Sequence, residues 1–334
     1  MTHDSTIIQS KEECIYCGTR DVELTDEHVL PFFIGGKHVL ERASCRPCSK
    51  ITSKFERHVA KGLWDDARNA YNAPTRKPKK RKKYILLDDQ KSPGKKLKVP
   101  YSEYPAAMIF YYMDAAGFLL GLPETTDRSH TWTFKAIVDQ KKLEAFEKKY
   151  PGQLTAKMRF NHDSYCRFLE KVAYCQILCS LDPGDFRSIC LPYIMGEKTN
   201  HSFIVGSRKS IPEPQKGLGY SMSTICYGTS EYIILMAEIR IIADNHTPVY
   251  HVLVGDVTGK EKVEYVRKKA AVTWDVIVPD DAKGPQNPAD HHHWMPRIWP
   301  LQNLENIEVE NTNKANSVGN FAAAALRSAA AKSR

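Results

Sequence analysis

At 334 residues, 42% of them hydrophobic and 10% aromatic, the chain is long enough to bury a sizeable core and too apolar to be disordered on composition alone. A formal net charge of +9 favours a polyanionic partner, nucleic acid foremost, because a positive field raises encounter rates and nonspecific affinity. Residues 1–10 are polar rather than an apolar leader, and the longest apolar run, 106–122, is interrupted by Asp114 and Gly117, so a cytoplasmic protein without membrane contact is expected.

The first informative stretch is 14–58. Cys14 and Cys17 form one Cys-x2-Cys pair, and Cys45 and Cys48 a second, with 27 residues between them. Four soft thiolates in this spacing are the ligand set of a closed, tetrahedral structural Zn²⁺ site, and the intervening length accommodates a hairpin. That insert contains Glu27 and His28 side by side. On an extended segment neighbouring side chains point to opposite faces, so one can hold a metal while the other meets a separate reactant, which is what metal-assisted hydrolysis requires. From Ser49, read as an N-cap, Ile51, Phe55, Val59 and Leu63 recur at near-helical spacing and predict a helix packed on the hairpin. His38, after Gly36 and Lys37, either reaches a scissile phosphate or lies on the outer face of the second strand.

These residues, Cys-x2-Cys, Glu27-His28-Val29-Leu30-Pro31, the Gly35-Gly36 turn and the second Cys-x2-Cys, resemble the HNH endonuclease family with its ββα-metal fold. The resemblance covers about the first sixty residues. It implies that His28 is the general base that activates water and that Glu27 is a ligand of a catalytic Mg²⁺ or Mn²⁺. It also implies a further ligand from the helix after Cys48, with Glu56 the first choice and His58 the alternative, since residues two apart do not share a helix face. The family usually carries Asn directly after the second Cys-x2-Cys, where this chain has Ser49, so a hydroxyl replaces an amide. Many stand-alone proteins of this kind belong to restriction-like or antiphage systems, and the expected substrate is DNA, double-stranded.

Basic residues surround this stretch. Lys54, Arg57 and Lys61 recur along the predicted helix, and Arg76, Lys77, Lys79, Lys80 and Arg81 form a dense run in which Pro74 and Pro78 forbid regular helix. They are candidates for tracking a phosphate backbone; a solvated face or loop is the competing reading.

Beyond the run, residues 84–87 and 96–99 predict a hairpin about Ser92-Pro93-Gly94. Residues 106–122 are strand or helix, 131–138 a strand and 140–150 a charged helix. Residues 161–181 form the best helix of this half, with Tyr165, Phe168, Val172, Cys175 and Cys179 on one face. Cys166, Cys175, Cys179, Cys190 and Cys226 read as reduced core residues. Residues 220–227, 232–243 and 249–254 predict an antiparallel meander, its second strand the most apolar and so central. The histidine run 291–293 reads as a loop or terminal segment rather than a metal site.

The expected architecture is therefore α+β: an HNH module with structural zinc at 1–73, a basic linker or hairpin at 74–100, an α+β domain with an antiparallel sheet at 101–310 and a disordered tail at 311–334. The second domain is expected to sense, to target, or to oligomerise, as a homodimer or with an activating partner. The module is expected to need zinc to fold, and the second domain to survive its loss. A noncatalytic zinc module that binds nucleic acid is the alternative function.

Overall fold

The computed structural model describes residues 5–89, 91–153, 161–208, 218–242, 244–271, 293–296 and 304–309. The tail 311–334, and His291 and His292 of the histidine run, lie outside these residues.

Strands β1 (Thr6–Ile8), β2 (Leu24–His28) and β3 (His38–Cys45) form a sheet in the order β1-β3-β2, with β1 parallel and β2 antiparallel to β3. The return between β2 and β3 depends on two glycines. Gly35 has φ 96°, and a Cβ on Gly36 would fall 1.7 Å from the Leu30 carbonyl oxygen. Helix α1 (Arg46–His58) follows β3 directly. It begins three residues before the expected cap at Ser49, with Cys45 as N-cap and Pro47 in the first turn, where a missing N–H costs no hydrogen bond. The second knuckle is thus the first turn of the helix itself. A π-turn (Val59–Leu63) and α2 (Asp65–Ala70) continue the chain; of the predicted apolar stripe Phe55, Val59 and Leu63 are buried and Ile51 is partly buried, and Trp64 beyond the stripe is buried as well.

The basic run adopts only one 3-10 turn, Pro78–Lys80, before the predicted hairpin of β4 (Tyr84–Asp88) and β5 (Lys96–Pro100). Residues 106–122 resolve into β6 (Met108–Tyr112) and a 3-10 turn, Gly117–Leu120. β6 pairs antiparallel with β7 (Thr133–Asp139), and Asp139 caps α3 (Gln140–Lys149) by accepting from the Lys142 amide.

Helix α4 (His162–Ile177), capped by Asn161, is followed by β8 (Arg187–Ser188), α5 (Leu191–Met195) and β9 (Val205–Ser207). The meander is β10 (Leu218–Gly228), β11 (Tyr232–Arg240) and β12 (Tyr250–Thr258), with β11 central as its composition predicts. Helix α6 (Lys260–Ala271) packs on β12, and β13 (His293–Pro296) and β14 (Leu304–Val309) pair with β10 and β7. No helix among the described residues is long and apolar enough to cross a membrane.

Helix α4 departs from the expected single apolar face. Every residue from Ser164 to Ile177 except Arg167 is buried, Glu170, Lys171 and Gln176 included. The reason is its position between the meander, on β10 to β12, and α1 of the N-terminal module. Trp64 donates its indole N–H to the Ile109 carbonyl at 3.0 Å and lies edge-on to Tyr165 and Phe168. Tyr174 donates to the Ile15 carbonyl at 2.6 Å. Buried residues of the first 73 and of 101–271 consequently make one continuous hydrophobic core.

At the N-terminal end of α4, His201 bridges Glu170, at 2.7 Å from Nδ1, and Asp163, at 3.2 Å from Nε2. Burial alone would push the ring down, but the two carboxylates outweigh it and lift His201 from 6.5 to about 9. A folded-state value above the unfolded one stabilises the fold fully below about 6.5, and that contribution is lost as pH rises through about 9. His201→Gln is expected to lower unfolding free energy at about pH 6 by on the order of 3 kcal/mol and by much less at about pH 10. Denaturant titrations of both proteins at the two pH values check this; an equal loss at both would show that the ring acts by packing and not by charge.

Candidate active site and zinc knuckles

The four knuckle thiols come together as the spacing predicts. The Sγ atoms of Cys14, Cys17, Cys45 and Cys48 all lie within 4.8 Å of one another, with Cys17 and Cys45 at 3.7 Å. Cys14, Cys45 and Cys48 are buried, and Cys17 is exposed. The Cys45 amide donates to Cys14 Sγ at 3.4 Å. Such a donor set fits a closed structural zinc, and it is the one convergent group of three or more His, Cys, Asp and Glu ligand atoms among the described residues.

Between β2, one face of α1 and residues 74–76 lies an open, polar cleft of about 420 Å³. Glu27, His28, Ser49 and Glu56 all line it, so the structure brings these predicted site residues together. Glu27 and His28 reach it from the end of β2, beyond a register shift between Thr25 and Glu27. Asp26 accepts the Arg42 amide across the hairpin at 3.0 Å, and Arg42 has φ 44°. Ser49, Thr52, Ser53 and Glu56 recur every three to four residues on α1 and therefore share its cleft face. Ser49 donates to the Arg46 carbonyl at 3.1 Å and Thr52 to the Ser49 carbonyl at 3.2 Å, which leaves their lone pairs for other partners.

His28 accepts at Nε2 from Arg76 at 3.0 Å, and its Nδ1 is buried without a hydrogen bond. Arginine can only donate, so the neutral ring carries its proton on Nδ1. Burial first, then the cations Lys171 and Arg76, push His28 down to about 4. At neutral pH the ring is therefore uncharged.

The remaining predicted residues fall elsewhere. His58 is exposed and does not line the cleft; its Nδ1 lies 2.8 Å from Ser164 Oγ at the start of α4. His38 pairs with Thr6 in the β1–β3 ladder and is also outside the cleft lining. Of the eight basic candidates, Arg76 alone lines the cleft, its guanidinium 5.9 Å from the Phe32 ring. Lys54, Arg57, Lys61, Lys77, Lys79 and Lys80 are exposed outside it. Arg81 donates to the Arg68 and Ala73 carbonyls and so ties the chain after α2.

Two cations were not anticipated. Arg68 lines the cleft with its guanidinium 4.9 Å from the Phe33 ring, donating to the Ala60 carbonyl at 3.1 Å. Lys171, from the middle of α4, is wholly buried, with Nζ 2.8 Å from Glu27 Oε1 and 3.0 Å from Glu56 Oε1, and it donates to the His28 carbonyl. Burial alone would lower its pKa, but the two carboxylates outweigh that and hold the ammonium well above its usual range. Glu56 is raised, burial exceeding the pull of Lys171. One signal for Lys171 was present in the sequence: it stands three residues after Phe168 and four before Cys175, within the helix's apolar pattern.

Zinc chelation is expected to act on the whole chain, since Ile15 and Tyr16, inside the first knuckle, contact Tyr174 and Cys175 of α4. Metal analysis should find about one tightly bound zinc per chain. Both Cys17→Ser and stripping with a strong chelator should lower the melting temperature in a single calorimetric transition. Two separate transitions, the later one unmoved, would show that the second part folds alone.

Residues 14–63 match the family model described as HNH endonuclease. No curated protein and no solved structure matches the chain significantly. The match spans both cysteine knuckles, the Glu27-His28 strand and the whole of α1, and the structure arranges them as hairpin, zinc site and helix: the N-terminal part of this chain is an HNH endonuclease module.

Proposed function

We propose that the chain is a metal-dependent endonuclease that hydrolyses phosphodiester bonds in double-stranded DNA at this cleft. The observation that supports this best is the meeting of Glu27, His28, Glu56 and Arg76 in one open, polar cavity of the HNH module, in a chain of net charge +9. Attack of water on a phosphodiester needs a base, charge stabilisation on the phosphate and leaving oxygens, and a channel that tolerates the substrate's charge. His28, uncharged at neutral pH, is the base. Arg76 is the phosphate-binding group: pairing with a phosphate oxygen draws its guanidinium off Nε2 and exposes the lone pair that takes the proton from water.

The oxygen donors of the cleft, the carboxylates of Glu27 and Glu56 with the hydroxyls of Ser49, Thr52 and Ser53, fit a hard divalent cation such as Mg²⁺ or Mn²⁺ that keeps part of its water shell. Bound there, such a cation supplies charge stabilisation to the scissile phosphate. The basic run, exposed on the stretch that leaves the cleft at Arg76, suits backbone contacts with the flanking duplex. A restriction-like or antiphage role agrees with the resemblance to HNH endonucleases, and the second part of the chain then supplies targeting, dimerisation or response to a partner.

One observation favours a second reading, a zinc module that binds nucleic acid without cutting it: Lys171 already engages an oxygen of each carboxylate assigned to the cation. Plasmid cleavage in Mg²⁺ or Mn²⁺ separates the two. The parent should nick or linearise DNA, and His28→Ala should lose roughly 10²–10⁴-fold in rate, the usual contribution of a general base. Glu56→Ala should abolish cleavage, Ser49→Asn should preserve or raise it, and Arg76→Ala should raise KM more than it lowers kcat. DNA binding by both parent and His28→Ala with cleavage by neither would establish the noncatalytic reading.

A further inference from the structure

A lysine with no exposed side-chain surface is rare, because an ammonium removed from water must recover its solvation from fixed partners. All three partners of Lys171 belong to the HNH module: the Glu27 carboxylate and His28 carbonyl at the end of β2, and the Glu56 carboxylate on α1. Its ammonium donates to the His28 carbonyl and forms ion pairs with both carboxylates, at 2.8 Å from Glu27 and 3.0 Å from Glu56. The carboxylates of Glu27 and Glu56, converging from two elements, repel one another unless a cation lies between them. That cation comes from α4, a helix outside the residues that match the family.

We propose that Lys171 is a positioning residue of the nuclease site, its ammonium holding the Glu27 and Glu56 carboxylates together and fixing the backbone of His28, so that the HNH site is complete only with α4 docked on it. This rests on the nuclease reading of the cleft. Lysine contributes geometry and charge together. Two carboxylates and one ammonium leave a single negative charge at the back of the cleft, so Lys171 aligns the acidic pair while weakening its pull on a divalent cation. A salt bridge that merely joined two packed parts of the chain would not set these two effects against each other.

The test measures cleavage and cation binding separately. Lys171→Met is expected to lower kcat on plasmid by about 100-fold, in the range seen when an outer partner of a metal ligand is lost. Mn²⁺ binding, followed by its paramagnetic resonance signal in the zinc-loaded His28→Ala background, is expected to become severalfold tighter when Lys171→Met is added. Loss of cleavage together with weaker Mn²⁺ binding and a lower melting temperature would reduce Lys171 to a structural bridge and overturn the proposal. Unchanged cleavage and Mn²⁺ affinity would overturn it as well. If Lys171→Met fails to fold, Lys171→Arg decides: it keeps the charge and moves the donors. Slowed cleavage at the parent's melting temperature supports the proposal, and parental cleavage overturns it. A parent that cleaves no DNA defeats the nuclease reading itself, and the Mn²⁺ comparison then decides the positioning role alone.

Discussion

A buried ammonium fixes its surroundings more tightly than any apolar contact, because leaving it unpaired costs several kcal/mol whereas a methyl group tolerates small shifts. In this protein Lys171 occupies that position. Glu27, His28 and Glu56 must present their oxygens to one point, and this sets how β2 and α1 stand with respect to α4. The aromatic contacts around it, Trp64 on Tyr165 and Phe168 and Phe33 on Phe168, pack the same junction. The site and the interface between the two parts of the chain are thus one physical object.

Its neighbour Glu170 shows how α4 serves two sides. Consecutive residues on a helix point about 100° apart. Lys171 faces the HNH module while Glu170 faces His201, and each buried charge meets an opposite charge on a different element. A helix covered all round has no solvent face on which to leave a charge, so its polar residues are either paired or expensive. Here the pairs connect the 3-10 turn His201–Phe203 and the HNH module through one helix.

The thiol cluster and the cleft offer two different donor chemistries. The thiols are packed against the hairpin and the first turn of α1, a closed set suited to holding structure. The cleft, by contrast, opens to solvent and is lined with hydroxyls, carboxylates and two guanidinium groups, Arg68 and Arg76, each against a phenylalanine ring. Ring contact restrains an arginine without consuming its donors, which keeps it available for a phosphate. The neutral state of His28 follows from its burial first and then from the cations Lys171 and Arg76, which oppose a further positive charge beside them.

What the chain alone determined was whatever depends on short-range spacing. Two Cys-x2-Cys pairs, Glu27 beside His28 and the Gly35-Gly36 turn were enough for the zinc site, the β2–β3 hairpin and the HNH resemblance, because knuckles and tight turns are built from residues close in sequence. The β4–β5 hairpin and the β10–β12 meander were legible for the same reason, through alternation and turn residues. The start of α1 was not, since a side-chain cap at Ser49 competes with a first turn built by Cys45, Pro47 and Cys48, and the local signal for both is sound. The placement of His58 against Ser164 and of Lys171 against Glu27 and Glu56 lay wholly in tertiary structure. Residue 171 is 144 positions from residue 27 and 115 from residue 56 in the chain. Periodicity marks such a lysine only as a charge inside an apolar pattern; the carboxylates that neutralise it are identified only when the helix packs.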